Sequence, residues 1–181
     1  RQVEEIELVP CSLDDFVLKD TKDDPVVIIS DIAGSGKSTI LRKIQEVVLN
    51  NFPSAFVLFI NLKSYIQEFA TVGDDFLQEM GRILKFDDLK MEIFLQNYRN
   101  GETRIFFDGF DEISPKCKET VLKLFTTFLS SDHQNKNKIY ITTRTHLEYD
   151  LEFCLSVIGH KLKSLSKEEQ ILFLSNIWEE S

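Results

Sequence analysis

The chain has 181 residues, enough for one α/β domain and too few for two large ones. Hydrophobic residues make up 43% and charged residues 28%, and the 15 Phe argue for a packed core over bulk disorder. A formal net charge of -9 gives a surface that in general repels nucleic acid and anionic membrane, so direct nucleic-acid binding is not expected.

Residues 1–25 are acidic and mixed, punctuated by Pro10 and Pro25, and read as a lead-in with a short helix near Leu13 to Leu18. Val26 to Ser30 is a β-rich run suited to a central strand. A helix is expected from Lys37 to about Leu49, with Ile40, Leu41, Ile44, Val47 and Val48 on one face and Asn51-Phe52-Pro53 ending it. Ala55 to Ile60 is the second strand. Phe76, Leu77, Met80, Ile83 and Leu84 suggest one helix, and Leu89, Ile93, Phe94 and Tyr98 another that Asn100-Gly101 stops. Arg104 to Asp108 is the third strand, followed by a helix to Leu129 that starts near Pro115. Ser130 to Lys138 is a polar connector, and Ile139 to Thr142 the fourth strand. Ser156 to Leu162, interrupted by Gly159, is a weaker fifth candidate. Ser166 opens a final helix with Glu169 three residues on, as a capping box requires, and with Ile171, Leu172, Leu174, Ile177 and Trp178 on its apolar side. Strands alternating with helices predict an α/β fold with a mostly parallel sheet of about five strands, helices forming the outer layers.

Three segments carry chemistry. The first is Asp31-Ile32-Ala33-Gly34-Ser35-Gly36-Lys37-Ser38-Thr39, directly after the first strand and opening the first helix. Gly34 and Gly36 let the backbone approach phosphate oxygens, Lys37 supplies a cation for the β- and γ-phosphates, and the Ser38 hydroxyl suits Mg²⁺. Residues Ile32 to Thr39 are the expected nucleotide cradle. Asp31 stands where the phosphate-loop pattern has its first glycine, and its carboxylate weakens binding unless it points away from the polyanion.

The second is Arg104-Ile105-Phe106-Phe107-Asp108-Gly109-Phe110-Asp111-Glu112, an apolar strand that delivers Asp108 to the sheet edge facing the phosphates. Asp108 is the expected Mg²⁺ carboxylate beside Ser38. Glu112 is preferred as general base for the attacking water and Asp111 as organiser, with the two roles interchangeable at this point. The third is Lys138-Ile139-Tyr140-Ile141-Thr142-Thr143-Arg144, a strand running into hydroxyls and a guanidinium that suits phosphate oxygens.

Asp-Gly-Phe-Asp-Glu after an apolar strand, with Ala-Gly-Ser-Gly-Lys-Ser-Thr upstream, resembles the NACHT family of signal-transduction ATPases, switch-type relatives of the AAA+ proteins. Gly109, Asp111 and Glu112 match that family's small residue and acidic pair. The resemblance covers roughly Val26 to Trp178. It implies a three-layer P-loop NTPase fold over residues 26–165 and places residues 166–181 at the start of a following helical domain. It also implies that Arg144 lies in a sensor segment near the γ-phosphate, with Thr142 and Thr143 as polar neighbours. The implied function is an ATP/ADP switch with Mg²⁺ and slow hydrolysis, serving innate immune or cell-death-type signalling in the cytoplasm. Self-association and protein partners would act through regions outside this piece.

Rival readings are a nucleotide-binding scaffold without hydrolysis, a small-molecule P-loop kinase and a DNA-associated AAA+ ATPase. The kinase reading lacks an arginine-rich lid segment, since only Arg99 and Arg104 precede the acidic strand end. The charge opposes the DNA reading. Cys11, Cys117 and Cys154 are widely spaced and fit reduced intracellular thiols, not a metal site. His133 joins no metal pattern, and His146 and His160 read as solvent-facing or locally bonded. No apolar run is long enough to span a bilayer. A start at Arg1 and an end in a helical pattern lead us to expect a piece of a longer polypeptide.

Overall fold

Short runs of β-branched and aromatic residues, joined by helices, build the sheet. A computed structural model describes residues 13, 16, 17, 25–71, 73, 75–129 and 136–162. β1 (Val26–Ser30) leads through the glycine-rich loop into α1 (Lys37–Asn51). β2 (Phe56–Asn61) runs into a 3-10 turn (Leu62–Tyr65), then α2 (Ile66–Phe69), α3 (Phe76–Ile83) and α4 (Asp88–Arg99). β3 (Thr103–Asp108) is followed by a 3-10 turn (Phe110–Glu112) and α5 (Pro115–Leu129), and β4 (Lys138–Thr143) by α6 (Thr145–Leu155) and β5 (His160–Lys161). All strand pairs are parallel, in the order β2-β3-β4-β1-β5. This is the α/β class expected, with five strands and helices on both faces.

The order matters for the site. β4 lies between β1 and β3, so a strand from late in the chain separates the phosphate-loop strand from the acidic one. Both faces of the sheet are covered, and β1 and β4 are buried along their whole length. On one face Val27, Ile29, Phe106 and Tyr140 pack under Leu41, Ile44 and Val48 of α1. Phe59, Phe106 and Tyr140 are register partners there and form a ring ladder, with centroids 6.5 and 4.4 Å apart. On the other face Val26, Ile28, Ile105, Phe107, Ile139 and Ile141 meet the buried sides of α2 to α6.

Helix boundaries follow their caps. Asp75 accepts from the amides of Leu77 and Gln78 at the start of α3, and Asp87 from Lys90 at the start of α4. The expected apolar face of α4 needs correction. Phe94 and Tyr98 are its buried pair, whereas Leu89 and Ile93 are exposed. Both pairs have i, i+4 spacing, and the larger aromatic pair wins the core, in ring contact with Phe86, Phe56, Phe76 and Phe128.

β1 has the expected bounds, those of β2 to β4 move by one residue, and the fifth shrinks to His160–Lys161 beside Ile29 and Ser30. Glu152 accepts from the Gly159 amide at 2.7 Å just before it. α6 has no counterpart in the sequence reading. Of the expected lead-in helix, Leu13, Phe16 and Val17 are described and helical; the expected helix over residues 166–178 and the connector at 130–135 lie outside the described residues.

Candidate functional site

The glycine-rich loop between β1 and α1 takes its shape from two glycines. Gly34 and Gly36 have φ of +78° and +90°, in the left-handed region that L side chains rarely adopt. A Cβ added at either would meet nothing within 4 Å, so the loop's concave side is open. Gly36 is also the N-cap of the 15-residue α1. No side chain caps that helix and its first turn carries no acid, so its amides and positive end face the same open space. Lys37 Nζ donates to the carbonyls of Asp31 at 3.0 Å and Ile32 at 2.6 Å.

Asp31 turns its carboxylate onto its own loop. Oδ1 accepts from the Ile32 amide at 2.7 Å, and Asp31 is not among the residues lining the cavity over the loop. Its φ is not positive, so the backbone at this position makes no demand for glycine.

The second motif reaches the loop from β3. Asp108 is almost buried, and its Oδ1 accepts from Ser38 Oγ at 3.0 Å and from Thr142 Oγ1 at 2.6 Å. Thr142 Oγ1 in turn accepts from the Gly109 amide at 2.9 Å. One hydroxyl from β4 thus joins the acid to the turn behind it. Gly109 has φ +81°, which swings the chain into the 3-10 turn. That turn buries Phe110 against Phe125 and sends Asp111 and Glu112 in different directions. Asp111 Oδ2 lies 2.7 Å from Arg144 Nε, with the Asp111 side chain 7% exposed. Glu112 is 42% exposed and lies 3.5 Å from Lys63 Nζ. Lys63 is held by the 3-10 turn after β2, where Asn61 Oδ1 caps its amide.

These side chains line one cavity of about 310 Å³: Ala33, Gly34, Gly36, Lys37, Ser38 and Thr39 on the loop side, and Asp108, Gly109, Asp111, Glu112, Thr142 and Arg144 opposite. Of the expected cradle, Ile32 and Ser35 lie outside this lining; Ile32 is exposed and Ser35 Oγ donates to the Ile32 carbonyl. Thr143 points to the other face of the sheet, where its buried hydroxyl has no hydrogen-bond partner among the described residues. His146 and His160 are exposed and line no part of the cavity. Cys117 is buried, Cys154 is exposed, and neither is disulfide-bonded.

The donor set fits the groups that the sequence points to. Three carboxylates face two cations, Lys37 and Arg144, so a polyphosphate here calls for a hard divalent cation to balance charge. Ser38 Oγ and Asp108 Oδ1 are adjacent oxygens of the kind that Mg²⁺ prefers, and Asp108 Oδ2 has no partner among the described residues. Two residues escaped the sequence reading. Thr142 was noticed only as a neighbour of Arg144, because its bond to Asp108 depends on the β3–β4 register, in which Phe107 pairs with Ile141. Lys63 carried no motif signal at all.

No protein-family model and no curated protein sequence matches the chain. Solved structures do. A DNA replication initiation factor superposes with a TM-score of 0.59 at 14% identity over 93% of this chain and 49% of its own. Domain III of the Thermotoga maritima replication initiation protein DnaA gives 0.57 at 18% identity over 92% and 67%. A Walker-type ATPase of Pyrococcus abyssi gives 0.55 at 18% identity over 92% and 57%. The chain spans about half the length of the first of these. At such identities the likeness shows the fold alone, a parallel five-stranded sheet flanked by helices.

Proposed function

We propose that this chain is the nucleotide-binding core of a NACHT-type regulatory ATPase, binding ATP and ADP with Mg²⁺ and hydrolysing ATP slowly. The observation that carries the reading is the meeting of Lys37 and Ser38 with Asp108, Glu112 and Arg144 around one cavity. The α1 amides and Lys37 bind and orient the phosphates. Ser38 and Asp108 would hold Mg²⁺, which supplies charge neutralisation at the terminal phosphates when bound. Glu112 suits the general base better than Asp111, since it is accessible and only loosely paired, whereas Asp111 is buried against Arg144. Arg144 is the second cation for the terminal phosphate.

The NACHT assignment rests on the resemblance of Gly109-Phe110-Asp111-Glu112 and its surroundings. A role in innate immune or cell-death-type signalling, a cytoplasmic setting and assembly through other regions follow from that resemblance alone. Among the described residues no helix is long and apolar enough to cross a membrane.

The test is equilibrium binding of fluorescent ATP and ADP, with and without Mg²⁺, by the wild-type chain and by Lys37→Ala. Saturable binding that Lys37→Ala weakens by about a hundredfold or more is expected, from loss of a charge-assisted phosphate contact. Equal binding by both proteins would sink the reading. A scaffold that binds without turnover is the second reading, favoured by the engagement of Glu112 with Lys63. It predicts that Glu112→Gln leaves an already negligible turnover unchanged.

A further inference from the structure

The two acids after Gly109 are paired with cations that follow different strands, β2 and β4. Glu112 faces Lys63 in solvent at 3.5 Å, while Asp111 is withdrawn and meets Arg144 at 2.7 Å. The closest approach between Asp111 and Arg144 is at Nε of the guanidinium. An arginine carries five N–H donors, four of them on the two Nη atoms. Those four have no hydrogen-bond partner among the described residues, and Arg144 lines the cavity.

Both backbones are fixed. Asp111 follows the buried Phe110, in a turn closed by the bond from the Glu112 amide to the Gly109 carbonyl at 2.9 Å. Arg144 follows β4, buried at every residue, and its carbonyl accepts from the Leu147 amide in the first turn of α6. A buried carboxylate that loses its only cation is costly, so this pair resists separation. Arg144 therefore keeps Asp111 while its Nη donors serve another anion.

We propose that Asp111 is a positioning residue for Arg144, and that the pair together makes the site favour a nucleoside triphosphate over the diphosphate. This rests on the nucleotide-binding reading above. It takes Asp111 away from the attacking water and gives it to the arginine. Simple charge counting predicts the opposite sign. Removing a carboxylate from an acidic cavity should help the more highly charged nucleotide, whereas removing a support for Arg144 should hurt it.

ATP and ADP affinities in Mg²⁺ are measured for wild type, Asp111→Asn, Arg144→Ala and the double variant, with Glu112→Gln as the equal-charge control. Asp111→Asn is expected to lower the ATP-over-ADP affinity ratio by about tenfold, and Arg144→Ala by at least as much. The double variant should be no worse than Arg144→Ala, because the two residues act as one unit. Glu112→Gln should not lower the ratio. Arg144→Lys, which keeps the charge but lacks Nε, should lose the preference too, and it serves should Asp111→Asn fail to fold. A ratio that rises or holds in Asp111→Asn with ADP still bound overturns the inference alone, as does a purely additive double variant. Loss of turnover with an intact ratio would return Asp111 to the attacking water. Absence of both ATP and ADP binding in wild type overturns the nucleotide reading, and this inference with it.

Discussion

The hydroxyl of Thr142 donates to Asp108 and accepts from the Gly109 amide, so two parts of the acidic motif depend on one oxygen. Thr142→Val keeps the shape and leaves that amide unpartnered. We expect a loss of about 1–3 kcal/mol in urea unfolding and weaker Mg²⁺-dependent ATP binding, with Thr142→Ser recovering most of both. Asp31 predicts the reverse kind of result. Its carboxylate bonds the Ile32 amide and stays off the cavity, so Asp31→Gly should change ATP affinity by less than about tenfold, or ~1.4 kcal/mol. A larger gain on titration would mean that the carboxylate does oppose the phosphates. Lys37, Ser38 and Asp108 were legible because a phosphate loop and an acidic strand end are local patterns with local reasons. The split between Asp111 and Glu112 was not legible, since it depends on Arg144 and Lys63 arriving from the segments after β4 and β2.

Elements were read well where periodicity and caps agreed. α1, α3 and α5 show their apolar faces in sequence, and the central strands are continuous apolar runs. α6 was missed because its buried residues are only Leu147, Leu151 and Leu155, diluted by Tyr149, Phe153 and Cys154 on the exposed side. That exposed side carries a ring pair, Tyr149 and Phe153, at a centroid distance of 6.2 Å. The turn from α4 into β3 shows an element boundary under steric control. Gly101 has φ +73°, and an added Cβ would lie 2.9 Å from the backbone nitrogen of Lys136. Gly101→Ala combines left-handed strain with a backbone clash and should destabilise the chain by about 1–3 kcal/mol in chemical denaturation. An unchanged midpoint would show that residues 136 and 137 yield freely.

At the scale of the molecule, the sheet is central and its edges differ in strength. β4 and β1 are flanked on both sides, whereas β2 is half-buried at one edge and β5 contributes two exposed residues at the other. Hydrogen exchange should therefore rank the strands: amides of β1 and β4 should open only with global unfolding, and those of β5 by local opening. Equal protection of β5 and β4 would contradict that order. The parallel architecture was legible from alternating strands and helices, but the strand order was not, because nothing local in Val26–Ser30 says which distant strands will pair with it. That order has a consequence for synthesis. β2 and β3 can pair early, but Val26 waits for Ile139 and Ser30 for Lys161. At roughly 5–20 residues per second, a ribosome leaves the apolar run Val26–Ile29 without its partner strands for on the order of ten seconds. The setting of Asp108 waits as well, since Thr142 of β4 supplies one of its hydrogen bonds. During that interval the run is exposed apolar surface, and the exposure ends only when β4 emerges.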